Sequence, residues 1–128
     1  MSLIPMKQCI NDYFSALQHL DVDEWLATFA ADGASHDPAG APPQVGHTAL
    51  RLFFIAVTKD FASVSIAADE ILMQGSRAAV TWRAKGVGAN NRKVQFEGID
   101  IFEMDASGKI KAVWGFWDPA AMFAELHG

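Results

Sequence analysis

Cys9 is the only cysteine in this 128-residue chain, so no internal disulfide can staple it. So little cysteine fits a reducing compartment. Basic residues are also few: ten Lys and Arg stand against fifteen Asp and Glu, for a net charge of −5. No Lys/Arg cluster is present to neutralise phosphates, which argues against a nucleic-acid partner. No stretch approaches the ~20 apolar residues of a membrane span. The start, MSLIPMKQCIND, lacks the uninterrupted apolar run of a signal peptide. The expectation is a soluble cytoplasmic protein. His19, His36, His47 and His127 show no ligand spacing such as H-x-x-x-H, and no Gly-rich phosphate loop appears, so neither metal nor cofactor is expected. Tyrosine is scarce too: Tyr13 is alone beside nine phenylalanines that serve the same packing need.

What the chain does have is apolar content. At 51% hydrophobic residues, 1–128 suits a single domain with a substantial core. Met6, Cys9/Ile10, Tyr13/Phe14, Leu17 and Leu20 fall at helical spacing, which predicts a helix over 5–20. Asp21 can cap a second helix, with Glu24 in the capping-box position. Trp25, Leu26 and Phe29 would supply its buried face, and Gly33 its left-handed stop. Residues 34–38 read as short and extended, because Pro38 pushes Asp37 away from helical angles. AGAPPQVG, 39–46, is a loop by composition. A third helix opens at His47 or Thr48, with Leu50, Phe53, Phe54 and Val57 as its stripe.

After Asp60 the pattern changes to strands separated by Gly/Asn/Asp turns. The first, 61–73, puts Val64, Ile66, Ala68 and Leu72 on one face. The second, 78–87, does the same with Val80, Trp82 and Ala84. The last, 110–117, aligns Ala112, Trp114 and Phe116. Asp118 and Pro119 open a short terminal helix. The fold class expected is α+β: a cone-like, curved antiparallel sheet with three N-terminal helices on its concave face, enclosing a pocket. Ile99, Ile101, Val113 and Trp117 are left on the opposite face, which points to a homodimer through it.

The third strand, VQFEGIDIFEM at 94–104, carries the most chemical information. Strict alternation gives Asp100 the face shared by Val94, Phe96, Gly98, Phe102 and Met104. An unpaired carboxylate among such neighbours is costly, so a buried acid tends to stay protonated. A neutral carboxylic acid in an apolar pocket is a good hydrogen-bond donor. A buried Asp bonded to a backbone amide or an indole reads equally well from the residues alone. Tyr13 can simply be a half-buried phenol, and Asp37 a turn residue before proline.

The segment YFSALQHLDVDEWLATFAADGASHDPAG resembles the N-terminal half of the ketosteroid isomerases (steroid Δ-isomerases), members of the nuclear-transport-factor-2-like or SnoaL-like superfamily. Three marks carry the resemblance: Tyr13 on the first helix, the DP-x-G turn Asp37-Pro38-Ala39-Gly40, and the IDxF strand Ile99-Asp100-Ile101-Phe102. The resemblance implies that Asp37 is a general base. It implies too that Tyr13 and a protonated Asp100 form an oxyanion hole, which is that family's established device. Phe54 stands where some members carry a further tyrosine, which shortens the donor network. The implied reaction moves a C=C bond by abstracting a proton α to a carbonyl. A wall of Phe54, Val80, Trp82, Phe96, Phe102, Trp114 and Phe116 would suit a flat, apolar, steroid- or polyketide-like molecule. A polyketide-cyclase-like enzyme and a non-catalytic ligand-binding or dimerisation domain are the alternatives.

Overall fold

The computed structural model describes residues 3–128. Three helical segments interleaved with two strands precede a run of long strands, and a short helix closes the chain. In order these are α1 (Leu3–His19), α2 (Val22–Leu26), β1 (Phe29–His36), β2 (Gln44–Val45), α3 (Gly46–Thr58), β3 (Phe61–Gln74), β4 (Arg77–Gly88), β5 (Lys93–Met104), β6 (Ile110–Phe116) and α4 (Pro119–His127). The strands form one curved, unclosed sheet in the order β2-β1-β6-β5-β4-β3. The class is α+β as expected, but the sheet is mixed, because β1 runs parallel to β6.

The first, third and fourth helices and the Asp21 cap follow their sequence signals. Met6, Cys9, Ile10, Tyr13 and Phe14 form the buried stripe of α1. Asp21 caps α2 by accepting from the Glu24 amide. The Glu24 carboxylate, however, turns to His19 at 3.1 Å instead of completing the box. Asp118 caps α4 through the Ala121 amide. The third helix buries Leu50 and Phe54. Cys9 is a core thiol that donates to the Thr28 carbonyl at 3.5 Å, and burial pushes its pKa to about 11.

The second helix is shorter than its sequence reading. It stops at Leu26, and Phe29 already belongs to a strand. The reason is nonlocal. The Ile110 amide donates to the Thr28 carbonyl at 2.9 Å, and the Lys109 ammonium donates to the Ala27 carbonyl at 2.8 Å. The 27–36 segment is thereby drawn onto β6. Gly33 is not a left-handed stop but a close-approach residue: a Cβ there would lie 2.9 Å from the Ile110 carbonyl oxygen.

Bulges reset the face parity of otherwise alternating strands, and two of them decide which residues face the core. Asp69 is the extra residue between the pairs Ala68–Trp82 and Glu70–Thr81. Beyond it Ile71 and Met73 pack on the core, while Leu72, expected inside, is 68% exposed. Lys111 is the extra residue between Ile110, which pairs with Met104, and Ala112, which pairs with Glu103. A bulge shifts every later side chain to the other face. Val113, Gly115 and Trp117 therefore turn inward, and Trp114 and Phe116 turn outward, the reverse of the sequence reading. Val113 is core, and Phe116 is 53% exposed. Trp114 stacks on His36 with ring centroids 5.1 Å apart. The outer face thus carries Ile99, Ile101, Trp114 and Phe116.

Candidate active site

On the inner side, a pocket with a cavity volume of about 70 Å³ lies between the helices and the sheet. Tyr13, Asp37 and Asp100 all line it, from three elements far apart in sequence. The remaining lining is almost wholly apolar, with Phe14, Trp25, Phe53, Phe54, Phe96 and Trp117 among its largest members.

Asp100 sits where strict alternation along β5 put it. It is 4% exposed and accepts a hydrogen bond from the Trp82 indole N–H at 3.1 Å. Burial, and then the charge of Asp37, raise its pKa to about 8, against the pull of the Trp82 bond. The carboxyl is therefore neutral at pH 7 and holds a proton it can donate.

Asp37 follows directly on β1, and the loop that carries it is fastened to the sheet. The Ala39 amide donates to the Gly115 carbonyl at 2.7 Å. The carboxylate then lies flat over Gly115: a Cβ there would meet its Cγ at 2.9 Å and both oxygens at 3.0 Å. Gly115 is also the cross-strand partner of Asp100. One glycine thus brings the two acids together, by leaving room for one carboxylate beside the strand position of the other. The Trp117 indole N–H donates to Asp37 at 2.6 Å. Burial raises the Asp37 pKa, and the Trp117 bond holds it down. The charge of Asp37 opposes ionisation of Asp100, so the two acids titrate as a coupled pair.

The two indoles share a recess. A Cβ at Gly98 would strike Trp82 at 2.6 Å and the Trp117 Cβ at 2.8 Å, so glycine is required for both rings to lie across β5. Trp82 and Trp117 meet edge to face at 5.9 Å, with Phe96 beside each at 5.9 and 5.6 Å. Each carboxyl therefore has one fixed donor and an aromatic wall.

Tyr13 approaches from α1. Its ring packs edge-on against Phe102 at 5.1 Å and Phe14 at 5.2 Å. Burial, then Asp100 and Asp37, raise its pKa well above the ordinary phenol value, so it stays a protonated donor. Trp25 acts on the phenol in the opposite sense.

Of the wall residues expected from sequence, Phe54, Trp82 and Phe96 line the pocket. Val80 and Phe102 lie beneath it as fully buried core. Trp114 and Phe116 are outside it, displaced by the Lys111 bulge. Trp117 was assigned to the outer face and is instead the partner of Asp37. The general preference of a buried indole for an acceptor was the one sequence signal that pointed to it. His36 stacks outside and does not join Asp37. Among the described residues no group of three His, Cys, Asp or Glu side chains gathers to hold a metal ion. No helix among them is long and apolar enough to cross a membrane.

A neutral acid, a neutral phenol and a second carboxyl facing one apolar pocket can supply two donors and one base to a single substrate. Such a set stabilises negative charge on an oxygen while moving a proton nearby.

The comparisons with known proteins agree with this architecture. The structure superposes on an NTF2-like protein of unknown function from Burkholderia pseudomallei with a TM-score of 0.81, at 21% identity and over the whole of both chains. SalBIII, described as an epoxide hydrolase/cyclase-like enzyme in pyran ring formation in the polyether salinomycin, gives 0.80 at 24% identity, covering 91% of this chain and 93% of that one. An LEH-like epoxide hydrolase from M. tuberculosis gives 0.76 at 18% identity, covering 97% and 90%. At these identities the likeness shows the fold, an NTF2-like cone. A family model described as a SnoaL-like domain matches residues 10–113, most of the chain. The chain belongs to the SnoaL-like domain family.

Proposed function

We propose that the pocket is the active site of a cofactor-independent enzyme that abstracts a proton α to a carbonyl, as the steroid Δ-isomerases do. Ionised Asp37 takes a proton from the carbon between a ketone and a C=C bond. The electron pair moves onto the carbonyl oxygen, giving a dienolate. Tyr13 and protonated Asp100 donate to that oxygen. Protonated Asp37 then returns its proton two carbons along, and the dienolate collapses to the conjugated enone. The observation that carries this reading is the environment of Asp100: a buried, neutral acid facing the same pocket as a lone phenol and a second carboxylate. The apolar aromatic lining favours a flat substrate of steroid or polyketide type, and no nucleic acid or membrane enters the reading. The test is turnover of a Δ5-3-ketosteroid or a smaller β,γ-unsaturated cyclic ketone, followed by absorbance of the conjugated product. Conversion that is lost in Tyr13→Phe supports the proposal; no conversion of either ketone removes the isomerase reading.

A cyclase-like reaction is the second reading, supported by the same pairing of one neutral and one ionisable acid. On an epoxy alcohol, Asp100 would protonate the epoxide oxygen as its C–O bond breaks. Asp37 would take the proton of the attacking hydroxyl. Likeness to an epoxide hydrolase/cyclase-like enzyme adds support. Ring closure of an epoxy alcohol without isomerisation of the ketones would favour it over the first reading.

The outer sheet face is proposed to bind a second copy of this chain. Ile99 and Phe116 stand 45% and 53% exposed there. They are cross-strand partners, and Ile101 pairs next to them with Trp114. A contiguous apolar patch on an outer sheet face can meet its own copy about a two-fold axis. Light scattering is expected to give a dimer that Phe116→Glu dissociates; a monomer in the unmodified protein would remove the proposal.

A further inference from the structure

Trp25 has no role in the chemistry described so far, yet it lines the same pocket as Tyr13. It is 1% exposed, and among the described residues its indole N–H has no hydrogen-bond partner. The other two indoles of the pocket, Trp82 and Trp117, each donate to a carboxyl. An unpaired donor this deeply buried is uncommon in a folded chain, and a nearby acceptor is the usual answer. The ring is fixed in place by Phe29 at 4.7 Å, Phe54 at 5.1 Å and Tyr13 at 5.7 Å between centroids. Phe54 and Phe29 offer no acceptor, whereas the Tyr13 oxygen has free lone pairs.

We propose that Trp25 is a positioning residue for Tyr13: its indole N–H takes up a lone pair of the phenol oxygen, so that the phenol proton points into the pocket. This rests on Tyr13 being the oxyanion donor of the proposed function. As negative charge develops on the substrate oxygen, the Tyr13 O–H bond lengthens and its oxygen gains charge. A donor already aimed at that oxygen stabilises the shift, as in other chained hydrogen bonds. The direction of the Trp25 influence on Tyr13 agrees, since it favours the phenolate. The N–H lies outside hydrogen-bond geometry to the phenol, and catalytic contacts commonly tighten only in the complex with substrate. Trp25 would then do for this chain what a further tyrosine would do from the position of Phe54.

The test uses β-naphthol, whose naphtholate oxygen mimics an enolate, bound to four proteins: the unmodified chain, Trp25→Phe, Tyr13→Phe and the double variant. Trp25→Phe is expected to weaken naphthol binding by about tenfold, the worth of a hydrogen bond to a charged oxygen. In the Tyr13→Phe background the same change is expected to do nothing. Replacement of Trp25 by benzothienylalanine, which keeps the ring outline without the N–H, should reproduce the tenfold loss if Trp25→Phe folds poorly. An equal loss in both backgrounds would mean that Trp25 is a wall, and no loss would mean that its N–H is idle; either overturns the inference alone. Naphthol binding indifferent to Tyr13→Phe would overturn the proposed function and this inference with it.

Discussion

Asp37→Asn is expected to slow turnover of a β,γ-unsaturated ketone by at least about 10² while leaving the fold intact, because a positioned base contributes roughly 10²–10⁴. The amide keeps the size of the carboxylate and can still accept from Trp117, so the loop stays fastened through Ala39 and Gly115. What it loses is the ability to take a proton. Naphthol binding should survive the change, since Asp37 is not one of the donors to the oxygen. It should even strengthen, because the negative charge facing the bound anion is gone. The pH profile of the unmodified enzyme follows from the two acids. Activity should rise as Asp37 ionises and fall as Asp100 loses its proton, with the alkaline limb near pH 8. Steady-state kinetics across pH on both proteins checks this. An unchanged kcat in Asp37→Asn would place the base elsewhere.

Asp100→Leu is expected to act on activity and stability in different ways. Losing one oxyanion donor typically costs about 10²–10³ in rate. Stability depends on pH through the proton that Asp100 holds. In the unfolded chain this carboxyl ionises near the ordinary ~4, whereas in the folded chain it does so at about 8. Between these values unfolding releases a proton, so rising pH favours unfolding. The stability this group contributes is complete below pH ~4 and lost as pH climbs through about 8. Denaturant midpoints of the unmodified protein should therefore decline from pH 5 to 8. Asp100→Leu should flatten the decline, though it leaves the Trp82 N–H unpaired at a cost of about 1–3 kcal/mol. Asp100→Asn separates the two effects. It keeps an acceptor for Trp82 and cannot ionise, so it should flatten the curve without that penalty. At alkaline pH it should be more stable than the parent, while its weaker amide donor leaves it slower. A midpoint that falls with pH as steeply in Asp100→Asn as in the parent would show that this carboxyl is not the group responsible.

Much of the site was legible in the chain. Asp100 lands inside because β5 alternates without a break from Val94 to Met104, and parity along an unbroken strand is a local property. Tyr13 lands inside because the α1 stripe repeats at helical spacing. Asp37 was legible as a turn residue by its proline, but its place beside Asp100 was not. That depends on a hydrogen bond from Ala39 to Gly115, a residue some seventy-five positions away. The wall was read less well. Trp114 and Phe116 were misassigned because Lys111 is a bulge, and nothing in KIKAVWGFW marks it as one.

The chain by itself therefore determined the helical stripes, the caps at Asp21 and Asp118, the buried acid and the lone phenol. Each is decided by side chains within a turn or a few strand positions of one another. Tertiary structure alone decided that β1 leaves α2 to run parallel with β6, that Trp117 rather than Trp114 faces the pocket, and that each aspartate finds its own indole. These are properties of which strands lie side by side and where one carries an extra residue. Pairing across the sheet sets that register, and the order of residues along a single strand does not contain it.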